Sequence, residues 1–333
     1  IIDSLSIGAP NKVNMTMFDI HYWDYDISDH TEYDVGWESE IEAKLPVSEL
    51  KIQTIRKVVF DEIVMPGNSN RPAVRATSVA DFMNQTGAAS YDGEQGIALK
   101  WKDALQQAGG QSDLSVYYVN IIDSRAGTYG GQAVEFGGVG SVTNEFKLIT
   151  DVLHHELGHT LSLPHWGGAS SYPYRGDTLG VPVRVCSPDP CPDEHVGPTW
   201  GYDDRTGTPV PGYSFPYFIS PVVQPSTVPG GQNHIGTWKL DPMQGGGSGD
   251  QEQGFILRMF SDYSVYTMRN FLENRLAVWN NNLNSFTKWD DAAKSYSQVV
   301  VSDSIAYPTE HNVEVYSILA NIRRVTPVAN YIY

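Results

Sequence analysis

Within one short segment, His155-Glu156-Leu157-Gly158-His159-Thr160-Leu161-Ser162-Leu163-Pro164-His165, the chain carries three imidazoles and a carboxylate. On a helix, His155 and His159 stand one turn apart on the same face. Two nitrogens so placed can share a tetrahedral ion at about 2.0–2.1 Å each. Glu156 is displaced around the helix, too far to be a third ligand. It can instead reach a water held by the ion, which is the general-base position. Pro164 disfavours helical geometry at Leu163, and a turn there brings His165 back toward the ion as third ligand. Three histidines leave the fourth position for water, the mark of a catalytic rather than a structural zinc site, so one Zn2+ is the expected cofactor. The bland alternative is a helix whose histidines cap or pack. Chance produces the short His-Glu-x-x-His pattern in on the order of one chain in a hundred, and the third His makes it rarer. His154 lies one position off the ligand face and reads as a neighbouring or partly exposed histidine. His21, His30, His195, His234 and His311 lack a partner at ligand spacing.

The element that must present these groups is a helix over Asn144–Leu161, where Phe146, Leu148, Ile149, Val152, Leu153, Leu157 and Leu161 recur at helical spacing. Upstream, residues 12–60 alternate in stretches such as Val13–Phe18 and Ile52–Phe60, and predict strands of an antiparallel or mixed sheet. Gly96–Ala108 reads as an amphipathic helix ended by Gly109-Gly110. Ser115–Ile122 reads as a buried strand. Gly-rich sequence over Gly127–Gly140 encloses the alternating run Gln132–Phe136. Beyond Pro164 the texture changes. Residues 166–250 are rich in Pro and Gly with little periodicity, which predicts a long loop-built region, and loops of that length are usually functional. A second amphipathic helix is expected over Tyr263–Val278. Strand patterns follow at Val299–Val301, Val313–Leu319 and Val325–Tyr333, and no internal repeat is apparent.

The chain has 333 residues, 41% hydrophobic and 11% aromatic, enough for a sizeable core and incompatible with a disordered chain. Its net charge of −17 repels phosphate backbones and anionic bilayers, which excludes nucleic acid as an expected partner. No apolar run approaches the roughly 20 residues of a membrane helix. The sequence opens Ile1-Ile2-Asp3, without Met or signal peptide, and reads as a processed or trimmed product. Cys186 and Cys191 are its only cysteines, held in Cys-Ser-Pro-Asp-Pro-Cys. The stiff loop favours a local disulfide over two free thiols, and so an oxidising, secreted setting. So short a loop adds little stability. Calcium is conceivable among the Asp-containing loops, but no calcium-loop spacing is present. A monomer is expected.

His155-Glu156-x-x-His159-x-x-Ser162-x-x-His165 resembles the metzincin zinc-protease signature, with Ser162 where that family normally has Gly. Such a Gly takes a left-handed turn, so Ser162 either carries strain of roughly 1–2 kcal/mol or the turn differs. Metzincins also hold a Met in a tight turn under the metal, and Asp241-Pro242-Met243-Gln244-Gly245-Gly246 supplies one at Met243. From Phe146 to Trp289, and more faintly to Ile318, the chain is similar to the dictomallein-like peptidases. That resemblance rests on the Met-Gln-Gly-Gly turn, Asn270-Phe271-Leu272-Glu273-Asn274-Arg275, Phe286-Thr287-Lys288-Trp289 and the Cys loop between zinc helix and turn.

The resemblance implies an α+β fold, a mixed twisted sheet with the active-site helix, followed by a loop-rich lower subdomain with the Met-turn and a helix. Its boundaries here are 1–290 for the catalytic domain (1–165 upper, 166–290 lower) and 291–333 for a β-rich extension. It implies a secreted zinc endopeptidase with Glu156 as general base, a protein substrate of the O-glycosylated, mucin-like kind, and an edge strand near Gly131–Gly140 that docks it. Trp166 beside the third His, Gly138 on that strand segment and Trp238 near the turn are the expected substrate contacts. Alternatives are a general secreted metalloprotease without glycan selectivity, an inactive zinc-containing glycoprotein-binding module, or another zinc hydrolase such as an amidase or deacylase. Glu156 argues against the inactive module, because it is not needed to hold the metal.

Overall fold

A computed structural model describes residues 8–23, 33, 35–65, 74–86, 92–123, 130–143, 151–165, 201–203, 208–210, 242–244, 257, 260–299, 313–314, 316, 320–321 and 331–332. The chain runs through β1 (Lys12–Tyr22), α1 (Trp37–Lys44), β2 (Glu49–Phe60), a small pair β3 (Ile63–Met65) and β4 (Val74–Ala76), α2 (Val79–Thr86) and α3 (Asp92–Ala108). It continues through β5 (Ser115–Asp123), β6 (Gly130–Val134), β7 (Gly137–Thr143) and α4 (Asp151–Thr160). The central sheet has five strands in the order β2-β1-β5-β7-β6. All neighbours are parallel except β6, which pairs antiparallel to β7 and forms one edge. Parallel pairing needs crossovers, and α1 and α3 lie in the connections that supply them.

Alternation along the strands divides the core between the two faces of the sheet. Val13, Met15 and Met17 of β1, with Val116 and Tyr118 of β5, pack with Trp37, Ile41, Leu153, Leu157 and Leu161. Phe18, Ile20 and Tyr22, with Val119, Ile121 and Val139, pack instead with Phe82 and Ala98 of α2 and α3. Helix α4 therefore lies on one face and α3 on the other. Helix α3 and strand β5 agree with the sequence expectation within a few residues. Of the helix expected from Asn144, the described part is α4, and 144–150 lie outside the described residues.

Downstream come the pair β8 (Gly201–Asp203) and β9 (Thr208–Val210), a 3-10 turn at Pro242–Gln244, and α5 (Asp262–Arg275). Ser261 caps α5, its hydroxyl accepting from the Ser264 N–H. Leu276 is extended, so α5 ends before the expected Val278, which instead opens β10 (Val278–Asn280). β10 continues into β11 (Ser285–Asp290) and β12 (Ser295–Gln298), a three-stranded antiparallel sheet that crosses residue 290. β13 (Ala320–Asn321) pairs with β14 (Tyr331–Ile332). Of the strand expected over Val313–Leu319, Val313, Glu314 and Tyr316 lie in none, and Val313 and Tyr316 are exposed. Val300 and Val301 lie outside the described residues. Among the described residues no helix is long and apolar enough to cross a membrane.

The three-stranded sheet corrects the expectation of no internal repeat. Trp279-Asn280-Asn281-Asn282-Leu283-Asn284-Ser285-Phe286 is followed in register by Trp289-Asp290-Asp291-Ala292-Ala293-Lys294-Ser295-Tyr296. In each hairpin the residue after Trp (Asn280, Asp290) accepts from two backbone N–H groups. Each indole N–H donates to the next side chain, Asn281 or Asp291. Asn284 and Lys294 take positive φ, and each Trp meets the aromatic ring opposite, Phe286 or Tyr296, edge-on.

Candidate active site

Helix α4 sorts its side chains into four stripes. Leu153, Leu157 and Leu161 enter the core. Val152, Glu156 and Thr160, spaced i, i+4, i+8, lie against the β6–β7 hairpin, as the space beside its glycines shows. His154 and Gly158 face Phe260: the His154 ring stacks 4.3 Å from it, and a Cβ on Gly158 would stand 3.2 Å from its ring. His155 and His159 form the remaining stripe. His154 is fully buried rather than partly exposed, because Phe260 covers it.

The histidine stripe meets His165. The Nε2 atoms of His155 and His165 are 3.0 Å apart, those of His159 and His155 3.1 Å, and those of His159 and His165 3.0 Å. Tetrahedral ligation at about 2.0–2.1 Å needs nitrogens roughly 3.3 Å apart, close to this triangle. The His155 Nδ1–H donates to Pro242 O at 2.7 Å and the His159 Nδ1–H to Leu163 O at 2.6 Å. Both bonds fix the tautomer that leaves Nε2 with a lone pair, the usual outer partner of a ligating imidazole. Lone pairs aimed at one point repel unless a cation lies between them, so the donor set fits a metal ion. Burial pushes His159 down to about 4, aided by His155 and His165 and opposed by the bond to Leu163, so the ring is neutral and ready to ligate near pH 7. Among the described residues this triad is the one cluster of three potential ligands.

The turn that delivers His165 is a Schellman motif closing α4. Leu163 N–H donates to Gly158 O at 3.0 Å and Ser162 N–H to His159 O at 2.9 Å. Ser162 sits at φ 69°, so it takes the left-handed turn and carries the strain. Its hydroxyl reaches Glu135 Oε1 at 3.4 Å, a weak compensation. Ser162→Gly is therefore expected to stabilise the protein by up to about 1 kcal/mol, raising Tm by about 2 °C in thermal melts, with metal affinity unchanged. A lower Tm would mean that the Ser162 hydroxyl outweighs the strain.

Beneath the triad lies the Pro242–Gln244 turn. Pro242 O holds His155, and the fully buried Met243 lies so close to α4 that any Cβ on Gly158 would overlap its sulfur. Gly158 is thus required by contact, which the motif alone did not reveal. Glu156 is buried, and its Oε2 has no hydrogen-bond partner among the described residues. Burial alone pushes its carboxyl up to about 8. Gly131 of β6 covers it.

The edge strand expected over Gly131–Gly140 is β6. Gly138 sits one strand inside it, buried between β5 and β6, where a Cβ would press on the Tyr118 ring at 3.0 Å and the Thr160 methyl at 3.3 Å. There it serves close helix–sheet packing. Trp166, Trp238, Cys186 and Cys191 lie outside the described residues, as do His30, His195, His234 and His311. His21 is buried in β1 and outside the cluster.

Among the described residues, three imidazoles converge next in sequence to a buried acid packed against the edge strand β6, a set that fits a metal ion and a base. The model of the family "Peptidase M66" matches residues 1–182, and the chain belongs to that family. It is 25% identical over 288 residues to Dictomallein-4 of Dictyostelium discoideum, covering 82% of this chain and 44% of that protein. It is 26% identical over 308 residues to Dictomallein of Burkholderia mallei (strain SAVP1), covering 87% of this chain and 39% of that protein. The chain thus spans less than half the length of these relatives, and the dictomallein-like resemblance read from the sequence agrees with them.

Proposed function

We propose that the chain is a secreted zinc endopeptidase of metzincin type, with His155, His159 and His165 as ligands, Glu156 as general base and Met243 in the supporting turn. The observation that carries this reading is the triangle of Nε2 atoms, with the neighbouring residue a buried acid whose Oε2 has no hydrogen-bond partner among the described residues. His155, His159 and His165 would hold the zinc, which when bound would acidify a water and polarise the scissile carbonyl. Glu156 takes the proton of the attacking water and delivers it to the leaving amine. Burial makes this carboxylate a strong base, while a nearby cation keeps it ionised. The outer edge of β6, unpaired among the described residues, offers backbone groups to an extended substrate, fixing its register by strand addition. Secretion is supported by the disulfide reading of Cys186 and Cys191.

For substrate, the reading favours extended, Ser/Thr-rich, O-glycosylated segments. Its support is the dictomallein-like family and the aromatic-rich stretch containing Trp166, Tyr172, Tyr174, Trp200, Tyr202, Tyr213 and Trp238, since sugars bind on aromatic faces with polar neighbours. Cleavage of a mucin-like protein is expected to stop on removal of the metal by a chelator and to return with Zn2+. Enzymatic removal of the substrate's O-glycans, at matched concentration, is expected to abolish cleavage. Equal or faster cleavage of the stripped protein would leave a general metalloprotease. No dependence on metal would overturn the reading.

A further inference from the structure

The β6–β7 hairpin presents a platform of small residues to α4. Directly opposite residues on paired strands share a face, and here Gly131 faces Gly140 and Ala133 faces Gly138. The Cβ directions of Gly138 and Gly140 meet Tyr118, Thr160 and Val152, which are packing groups. Gly131 differs. A Cβ there would stand 2.5 Å from Glu156 Cγ, 2.6 Å from Oε1 and 2.7 Å from Cδ. Gly131 lies within a strand and outside the positive-φ region, unlike Gly130 at φ 150°, so its backbone tolerates any residue. The three atoms nearest that Cβ all belong to Glu156, so it is contact with the acid that demands glycine.

The strand is itself held from the other face, where Gln95 of α3 donates to Gly130 O at 3.0 Å. β6 therefore does not yield freely, and a side chain at 131 displaces the acid instead. We propose that Gly131 is a positioning residue: its bare backbone roofs Glu156 and holds the carboxylate between the edge strand and α4. The inference rests on the reading of Glu156 as base. It also ties the acid to the strand that docks substrate, so one backbone contact sets both in a common register.

A double-mutant cycle tests it with wild type, Gly131→Ala, Glu156→Ala and the double variant. Gly131→Ala alone is expected to lower Tm by about 3 °C or more, whereas in the Glu156→Ala background, where Cγ, Cδ and Oε1 are gone, it costs about 1 °C or less. In the single variant, kcat is expected to fall about 10–100-fold with KM within about threefold and metal content unchanged. Equal Tm losses in both backgrounds overturn the contact. A KM change without a kcat change overturns the positioning role and assigns Gly131 to strand docking. Should Gly131→Ala fail to fold, folding of the double variant supports the proposal and its failure overturns it. A wild type that cleaves no peptide overturns the peptidase reading instead, and the Tm cycle still decides the contact.

Discussion

Glu156→Gln is expected to leave the fold and metal content intact and to lower kcat by about 10³-fold, within the range that a lost general base costs. The amide keeps the size of the side chain between Gly131 and α4, so the packing survives. It removes the carboxylate assigned to accept and return a proton. Glu156 lies on the stripe with Val152 and Thr160, not on the histidine stripe, so the metal keeps its three ligands. KM is expected to stay within about threefold, because the loss falls on the transition state. The measurement is kcat and KM on one peptide or protein substrate, with zinc content and Tm of the same preparation. Loss of zinc would make Glu156 a ligand or its support, and a rate within about tenfold of wild type would end its role as base.

Much of this site was legible because its information is local. The i, i+4 spacing of His155 and His159 fixes a shared face on any helix, and Pro164 marks where the chain turns. Ser162 in place of Gly posed a choice between strain and a different turn, and φ 69° decides for strain. What was not legible depends on register between distant segments. Which glycines of Gly130–Gly140 face α4 is set by the pairing of β6 with β7, and a one-residue slip would turn Gly131 away from Glu156. The sequence shows that region as Gly-rich, without telling the roof over the acid from the packing site at Gly138. The demand for Gly158 likewise needs Met243, some eighty residues on, to be seated beneath it. The hairpin repeat is not legible in the sequence because its chemistry recurs while its residues change, Asn280 for Asp290 and Phe286 for Tyr296. The end of α5 was overrun because Leu276 and Val278 continue an apolar pattern that the chain carries on as extended backbone.

His165→Ala is expected to weaken zinc binding by more than about 100-fold, since loss of an outer partner alone costs 10–100-fold. His154→Ala is expected to change it by less than about threefold, although both residues neighbour the motif. The contrast follows from where α4 and its closing turn send each ring. His165 is exposed and lies 3.0 Å, Nε2 to Nε2, from both helix histidines. His154 lies on a different stripe, shared with Gly158, and packs at a tilt on Phe260, so its removal opens a cavity in the core and lowers Tm without touching the donor set. Competition titrations with a chromophoric chelator read the affinities, and thermal melts of the apo-proteins separate stability from metal binding. If His154→Ala releases the metal while His165→Ala retains it, the turn at Ser162 does not return the chain to the ion, and the metzincin reading falls with it. If both variants release it, a melt that matches wild type for apo-His165→Ala but not for apo-His154→Ala still assigns the ligand to His165, because only a buried ring contributes to the apo-fold.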